Sequence, residues 1–569
     1  MLAARFFRER RMRAAALRCV PPLRAPQGSG HGSGWSHVRS ISASPDRASS
    51  PPQITLTPAE SNLFDFLVYI QHLYAPTTQL RVAGGWVRDK LRGAESDDID
   101  IVLDNINGTT FANHILKFQK MRKLPQSSIG VVKANSDKSK HLEVATVSIE
   151  GRMVDLVHLR AEEYTADSRI PETTFAKPIE DASRRDITIN ALFYNLHTQQ
   201  VEDFTGQGLQ DLAAGVVRTP LEPYQTFLDD PLRVLRAIRF ACDFGYTLDE
   251  KLSEAVLTHA EIKDAMARKV SRERIGIEVR KMLSGSDPAR AFSLLREYGL
   301  LDLVFNDLLK QENDANAAAT TSHHPVRLWS DEVATKSFTH LQFLQQSRRE
   351  LASHQISFVE ASGAILTPLF LKSIADVSGP PSLEPLEPVG EDVIIDSAFS
   401  YLNVRDAITR QLPVDEIVEV LKTNVKWPKP AAKRVAFIIE AVAAFPSDAR
   451  FSRECSGDRL KLFMWMTRYN SVLAPALSIL LTQYEDPLQR DATLKTFLDL
   501  GAMYAKREAE HGGKKRRMDG NTIKTHLGDN AGPKIARALE VLNVWEMVHP
   551  LASVDDEVAF FEQLARQLE

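Results

Sequence analysis

The chain has 569 residues, of which 43% are hydrophobic and 25% are charged, and its formal net charge at pH 7 is −4. This is the composition of a folded globular protein, and the length exceeds what one hydrophobic core usually holds, so several domains are expected. The charge balance excludes nucleic-acid binding through global basicity, and no apolar run approaches the ~20 residues of a membrane helix. Three widely separated cysteines exclude a disulfide framework.

The first 52 residues differ in composition from the rest of the chain. Arginine recurs, Ser, Gly and Pro are frequent, and Glu9 is the only acidic residue before Asp46. Such a leader is typical of a mitochondrial transit peptide. A disordered basic tail that touches RNA is the alternative. We favour targeting and predict a mitochondrial protein, with cytoplasmic and nuclear pools left open.

The next elements predict a phosphate-binding turn. Helical spacing of apolar residues predicts a helix over Pro58–Tyr74, and the apolar run Leu80–Ala83 predicts a strand. Gly84 and Gly85 follow, and a short helical segment comes directly after them. Because glycine has no Cβ, its backbone N–H groups can approach a phosphate closely, and the N-terminus of a helix favours negative charge. We therefore expect a phosphate cradle here.

A second strand, from Asp98 to Leu103, carries two carboxylates. Alternation along a strand points Asp98 and Asp100 to one face and the intervening apolar residues to the buried face. Two adjacent carboxylates repel each other unless a divalent cation lies between them, and oxygen ligands suit Mg²⁺. A calcium loop is excluded, because Val102 stands where that loop needs an oxygen ligand.

Another helix is predicted over Phe111–Met121, followed by strands at 127–133, 142–149 and 153–159, with a polar loop at 135–140. The last strand carries Asp155 among apolar residues. One interpretation pairs this carboxylate with Arg160. The other makes Asp155 a third acid beside the first two, where it would deprotonate or orient a nucleophile.

Two motifs carry a family resemblance. The segment GGWVRDKLRG followed by DIDIVL, and the segment EDASRRDITINALF that starts at Glu180, resemble the signature motifs of the class II tRNA nucleotidyltransferases, which are the CCA-adding enzymes and their bacterial poly(A) polymerase relatives. The resemblance implies that Asp98 and Asp100 hold two Mg²⁺ ions. It also implies that Gly84, Gly85, Arg88 and Arg185 contact the nucleotide, and that Asp186 holds an arginine in place.

The segment DDPLRVLRAIRF carries a second part of the resemblance. From pattern alone, it can be a solvated helix with an N-terminal aspartate paired to an arginine one turn on. It also resembles the family motif EDxxR, with Asp229 in the position of the glutamate. That resemblance implies that Asp230 and Arg233 imitate a Watson–Crick edge and select C or A. Arg236 and Arg239 would then face the triphosphate.

Two further segments extend the resemblance over residues 80–305. The segment DFTGQGLQDL is similar to the family hinge, with Gln207 in place of a glycine, so we expect a slightly altered hinge. The segment from Ser271 to Leu283 resembles the fifth motif and predicts a bracing helix.

Residues 306–569 predict amphipathic helices around a Pro-rich segment near residues 378–390. A basic cluster comprises Lys514, Lys515, Arg516 and Arg517. This cluster is either a solvated loop or nuclear localisation run, or it contacts RNA phosphates. The segment after it resembles the tail of eukaryotic, fungal-like members of the family, which would hold the elbow of a tRNA.

The predicted fold class is α+β. We expect a nucleotidyltransferase head with a mixed sheet at 53–200, a helical neck at 201–305 and a helical body and tail at 306–569. The resemblance implies template-independent addition of CCA to tRNA 3′ ends from CTP and ATP, with release of pyrophosphate. The alternatives are a CC-adding or A-adding partial enzyme, a poly(A) polymerase of the same family, or an RNA-binding protein with an inactive head. No membrane partner is expected, and the oligomeric state stays open, with a monomer favoured.

Overall fold

The computed structural model describes residues 52–132, 144–163, 172–305, 329–350, 356–371, 389–446, 456–484, 486–512, 518, 520–527, 532–549 and 552–568. The leader up to residue 51, the polar loop at 135–140, most of the Pro-rich segment and the basic cluster at 514–517 lie outside these residues. Within them the chain forms a sheet-containing head followed by helices, and the predicted α+β class is confirmed.

The head is built on a seven-stranded mixed sheet with strand order β3-β4-β5-β2-β1-β8-β9. Its strands are β1 (Leu80–Ala83), β2 (Ile99–Leu103), β3 (Ile129–Val132), β4 (Val144–Ile149), β5 (Arg152–His158), β8 (Leu192–Asn195) and β9 (Gln200–Asp203). Two short ribbons pair β6 (Arg160–Glu163) with β7 (Glu172–Phe175) and β10 (Val216–Val217) with β11 (Thr247–Leu248). In the sheet as described, β2 and β5 form the one parallel pair, and every other pair is antiparallel.

The first three helices of the head are α1 (Pro58–Tyr74), α2 (Gly85–Leu91) and α3 (Gly108–Met121). The predicted bounds of α1 are confirmed, and Thr57 forms a capping box with Glu60. One face of the sheet packs with α1 and α3 into a core that contains all the apolar side chains of β2 except Val102. Val102 lies in a second, smaller cluster on the other face, which is the face of the predicted carboxylates.

The remainder of the described chain is helical. The head and neck contain α4 (Pro178–Ser183), α5 (Gly208–Ala214), α6 (Pro223–Asp229), α7 (Leu232–Phe244), α8 (Glu250–Thr258), α9 (Ala260–Lys269), α10 (Arg272–Leu283), α11 (Pro288–Glu297) and α12 (Leu301–Phe305). Later helices are α13 (Asp331–Glu350), α14 (Phe358–Phe370), α15 (Glu391–Gln411), α16 (Val414–Asn424), α17 (Lys429–Ala443), α18 (Ser456–Arg468), α19 (Leu473–Leu480), α20 (Pro487–Gly512), α21 (Gly520–Leu527), α22 (Gly532–Val548) and α23 (Val554–Leu568). None of these helices is both long and apolar enough to span a bilayer.

The helical part shares one apolar core, which runs from Ile187 to Leu568. The domain boundaries predicted at 200 and 305 stay a prediction. The last strand of the sheet, β9, ends at Asp203, and the core continues from the neck helices into the body.

Neck and body meet at a very close helix contact. A Cβ on Gly276 in α10 would lie 1.7 Å from the carbonyl oxygen of Val425, and Trp427 Nε1 donates to the Gly276 carbonyl over 3.1 Å. Only glycine permits this approach. One turn earlier, the Arg272 guanidinium donates to the carbonyl oxygens of Leu303 (2.7 Å) and Asn424 (2.5 Å). The junction is therefore closed by packing and by hydrogen bonds.

We predict that Gly276→Ala destabilises the protein by about 2 kcal/mol or more, because the added methyl must displace backbone. The measurement is the free energy of unfolding in urea. The matched control is Gly390→Ala, because a Cβ at Gly390 meets nothing within 4 Å. Equal effects of the two substitutions would contradict the close contact.

Candidate active site

The predicted phosphate cradle requires its first glycine. Gly84 has φ of 75° and ψ of −128° and forms the N-cap of α2. A Cβ at this position would also lie 3.0 Å from Arg185 Nη1. Both the backbone conformation and the closeness of this arginine therefore exclude a larger residue.

Arg88 of α2 is fixed from several sides. Its Nε and Nη2 donate to the two carboxylate oxygens of Asp89 over 2.9 and 2.7 Å. Its Nη1 donates to Asn190 Oδ1, and its guanidinium lies 4.7 Å from the ring centre of Phe244 in the neck. The sequence pair Arg-Asp thus has a local reason: the aspartate orients the arginine.

The parallel pairing of β2 and β5 brings two acids together. Asp100 is the register partner of Asp155, and Asp98 lies two residues before Asp100 on the same side of the strand. Thr146 Oγ1 donates to Asp155 Oδ1 over 2.6 Å and orients it. Arg160, the other partner considered for Asp155, lies near enough to lower the pKa of Asp100. Asp98 and Asp155 both lie near enough to Asp100 for their charges to raise its pKa.

The Asp100 carboxyl shows the charge imbalance of this cluster. Burial, together with the negative charges of Asp98 and Asp155, raises its pKa to about 6, although Arg185 and Arg160 oppose the shift. A divalent cation would relieve this repulsion, so the donor set fits a hard metal ion. Among the described residues no group of three or more His, Cys, Asp or Glu side chains forms a metal site. The pair would therefore need phosphate or water oxygens as well, as is usual for Mg²⁺.

The arginines of the RRD motif surround the fully buried Asp181. Arg185 Nη2 donates to Asp181 Oδ2 over 2.9 Å, and Arg184 binds the other oxygen. Burial disfavours ionisation of Asp181, but the charges of Arg185 and Arg184 outweigh it and lower its pKa to about 2. Arg185 Nη1 also donates to the Asn190 carbonyl oxygen over 3.1 Å, which aims the guanidinium at the cradle.

Asp186 holds an arginine, as predicted, and that arginine is in the neck. Its Oδ2 lies 2.7 Å from Arg236 Nη2, and its Oδ1 accepts from Asn190 Nδ2 over 3.1 Å. Burial opposes ionisation of Asp186, but Arg236 and Asn190 together lower its pKa to about 2. This pair ties the second motif of the head to α7.

The solvated-helix interpretation of α7 is wrong. Leu232, Arg233 and Arg239 are among its ten buried residues, and its N-cap is Pro231 without a side-chain cap. Asp230 pairs with Arg274 of α10, with Nη2 to Oδ2 at 2.6 Å. The sequence pattern alone did not reveal this partner.

The arginines of α7 have hydrogen-bond and ion-pair partners of their own. Arg233 Nη2 donates to the Arg184 carbonyl oxygen over 2.8 Å. Arg239 Nε donates to Glu278 Oε2 over 2.6 Å, and Arg236 Nη1 lies 3.7 Å from Glu278 Oε1. Glu278 was also missed. It lies one turn after Arg274 on the predicted bracing helix, so both face α7, and this spacing is the signal that could have revealed them.

The backbone conformation at the hinge explains why Gln207 can stand where the family pattern has a glycine. Gly206 has φ of 70°, and a Cβ on Gly208 would lie 2.8 Å from both Leu192 Cδ2 and the Thr188 carbonyl oxygen. Gln207 between them has φ of −126°, which any residue adopts. Of residues 206–208, only position 207 does not require glycine, and this is the position that carries glutamine.

Two known protein families match the head and the first helices of the neck. Residues 80–218 match the poly(A) polymerase head domain, and residues 245–311 match the probable RNA- and SrmB-binding region of polymerase A. Over these residues, which include the Gly84 cradle and the carboxylates, the chain is similar to this polymerase family.

The relatives match different lengths of this chain. The mitochondrial CCA tRNA nucleotidyltransferase of Saccharomyces cerevisiae is 46% identical over 266 residues, which are 45% of this chain and 48% of the yeast protein. The chain thus spans about half the length of the first curated relatives it matches. The tRNA nucleotidyltransferase cca2 of Schizosaccharomyces pombe is 29% identical over 505 residues, 85% of this chain and 92% of that protein.

A solved structure of a CCA-adding enzyme in complex with ATP has the same fold as this chain. It covers 90% of this chain and 94% of its own, with a TM-score of 0.55 and 18% sequence identity. The likeness extends beyond the head and neck into the helical body.

The raised pKa of Asp100 gives a pH-dependent prediction. Its folded-state pKa of about 6 lies above the ~3.9 of an unfolded chain, so ionising it destabilises the fold. This cost is absent below about pH 4 and complete above about pH 6. We expect Asp100→Asn to raise the free energy of unfolding at pH 7.5 in EDTA by about 2 kcal/mol, after allowance for solvent screening, and to have no effect at pH 4.

The measurement is urea unfolding at the two pH values. Asp97→Asn, an exposed aspartate of the same turn, is the control and should change nothing. A stability gain for Asp100→Asn that is equal at both pH values would contradict the pKa shift.

Proposed function

We propose that this chain adds the sequence CCA to the 3′ ends of tRNA, without a nucleic-acid template, from CTP and ATP and with release of pyrophosphate. The observation that carries the proposal is the group of Asp98, Asp100 and Asp155 on one face of the sheet that also holds the Gly84 cradle. The names of the relatives support the same activity. An RNA-binding protein with an inactive head would not need this charge cluster.

We propose that Asp98 and Asp100 hold Mg²⁺, with two ions as the expected number. When bound, Mg²⁺ supplies positive charge to the attacking and leaving oxygens of an in-line displacement. Asp155, which Thr146 orients, accepts a hydrogen bond from the 3′-hydroxyl of the RNA and takes or directs its proton. The protein mainly positions the reactants and compensates charge, as in other phosphoryl transfers.

Different residues would bind the two ends of the nucleotide. Gly84, Gly85, Arg88 and Arg185 bind the triphosphate, with backbone N–H groups and guanidinium donors. Arg236, whose side chain is 32% exposed, adds positive charge on the neck side. Arg239 is enclosed by Glu278 and supports Arg236 through this shared partner.

Asp230 and Arg233 would read the base. A carboxylate accepts from an exocyclic amino group and a guanidinium donates to a ring nitrogen or carbonyl, so the pair selects C or A and rejects G and U. Arg274 would orient the Asp230 carboxylate, because it binds both oxygens.

The tRNA would lie along the helical body and tail. We propose that the basic cluster Lys514, Lys515, Arg516 and Arg517 contacts its phosphates. We also propose a mitochondrial location, which rests on the composition of the leader and on the name of the yeast relative.

The experiment that tests the function uses three tRNA transcripts, which end at the discriminator base, at C and at CC. Each is incubated with Mg²⁺ and labelled CTP or ATP, and products are resolved to single nucleotides. Addition that stops after CCA on all three transcripts establishes the proposed activity. A stop at CC, or extension of only the CC transcript, indicates a partial enzyme. A long A ladder indicates a poly(A) polymerase, and no product revives the RNA-binding alternative.

We predict that Asp98→Ala lowers incorporation at least about a thousandfold, because it removes a metal ligand, while the affinity for tRNA stays unchanged. Incorporation is measured in the same assay, and tRNA binding by filter retention. Asp97→Ala is the control and should keep full activity. Retained activity in Asp98→Ala would remove this residue from the metal site.

We predict that Arg233→Ala blurs base selection. The ratio of kcat/KM for CTP over UTP should fall at least about tenfold, since a lost base contact is worth roughly 1–3 kcal/mol. Single-nucleotide kinetics measure this ratio. Arg268→Ala, an exposed arginine of α9, is the control. An unchanged preference would contradict the base-reading role.

A further inference from the structure

A ring of arginines surrounds one phenylalanine where head and neck meet. The guanidinium carbons of Arg88, Arg236 and Arg239 lie 5.2, 5.4 and 4.0 Å from the ring centre of Phe240. Arg88 belongs to α2 in the head, and the other two belong to α7 in the neck. Phe240 itself is 6% exposed. The positively charged groups of two parts of the protein therefore share one aromatic surface.

A second ring extends this stack towards the surface. Phe244 lies one turn after Phe240, with ring centres 5.6 Å apart and planes 25° from parallel. Arg88 lies 4.7 Å and Arg92 3.8 Å from the centre of the Phe244 ring. Arg88 is in the last turn of α2 and Arg92 is its C-cap, so the C-terminal end of this helix rests on α7 through arginine–aromatic contacts.

A chain of hydrogen bonds runs beside the stack. Asn190 accepts from Arg88 of the head and donates to Asp186. Asp186 binds Arg236, and Glu278 lies next to both Arg236 and Arg239. Acidic and basic groups thus alternate, and the carboxylates offset the repulsion that neighbouring guanidinium groups would otherwise suffer.

These contacts connect two functions that the sequence keeps apart. The cradle that would hold the triphosphate precedes Arg88 in α2, and the pair that would read the base, Asp230 and Arg233, precedes Phe240 at the start of α7. One nucleotide must touch both sets at once. Since Arg88 of the head rests on the Phe240 and Phe244 rings of α7, the head cannot turn against α7 without separating this guanidinium group from them.

We propose that Phe240 and Phe244 are positioning residues that fix the distance between the triphosphate site and the base-reading site, and that nucleotide selection depends on this stack. The inference rests on the proposed function. It assigns specificity to two side chains that do not touch the base. A loosened stack lets the base shift relative to the triphosphate, and incorrect bases then find productive positions while correct ones lose alignment.

The test uses Phe244, because it is partly exposed and its replacement leaves the buried Phe240 intact. Phe244→Leu keeps the apolar contact and removes the aromatic face, whereas Phe244→Tyr keeps the face. Incorporation of CTP, ATP and UTP is measured on tRNA transcripts, and nucleotide affinity is measured by calorimetry without RNA. We expect Phe244→Leu to raise the KM for CTP and ATP about tenfold and the relative use of UTP about fivefold, with the KM for tRNA unchanged.

Phe244→Tyr should restore both values to within about twofold of the parent protein. The control is Phe118→Leu, which removes another ring lying under an arginine, Arg122, within helix α3 of the head. This control should leave nucleotide selection unchanged even where it lowers the melting temperature. Equal selectivity in Phe244→Leu and the parent would overturn the proposal and leave the stack as ordinary packing.

A double-mutant cycle with Arg92→Gln tests the partner. Arg92 is outside the proposed nucleotide contacts, and its substitution should reproduce the selectivity loss of Phe244→Leu without adding to it in the double variant. Additive losses would overturn the shared mechanism. If the parent protein itself incorporates no nucleotide on any transcript, the proposed function fails first, and the failure is visible before any variant is compared.

Discussion

The repulsion between carboxylates on two neighbouring strands is the constraint on which the head depends. Parallel pairing of β2 with β5 puts Asp100 directly beside Asp155, within the ~5 Å that separates adjacent strands. A pairing slipped by one residue would turn the two carboxylates to opposite faces of the sheet. The fold therefore keeps an unfavourable charge arrangement in place by burying the opposite face of the same strands, where Ile99, Ile101 and Leu156 are almost completely enclosed.

The positive charges of the neck are compensated by ion pairs. Each arginine of α7 binds a carboxylate or a carbonyl oxygen that comes from another element. Asp186 of the head and Glu278 of α10 both bind Arg236, while Asp230 turns to Arg274. Buried arginines without such partners would be costly. The second motif of the head and the bracing helix are thus parts of one electrostatic unit, although more than 80 residues separate them in sequence.

Local patterns predicted the parts of this architecture that depend on neighbours in sequence. The bounds of α1 and the strands β1 and β2 follow from the periodicity of the apolar residues. The strands β8 and β9 and the helices α14, α20 and α23 were not predicted. Their pairing and packing depend on contacts that one sequence does not reveal. Arg274 and Glu278 were missed for the same reason, because their partners lie on another helix.

The hinge shows what a mismatch to a motif means. Gly206 needs its positive φ and Gly208 its empty Cβ position, but the side chain of Gln207 extends into solvent from an ordinary backbone conformation. The fold therefore places little constraint on the side chain at position 207. A departure from a family pattern informs about lost function only where the backbone or a neighbour forbids the new side chain. The mismatch at Gln207 therefore does not count against the proposed function of this chain.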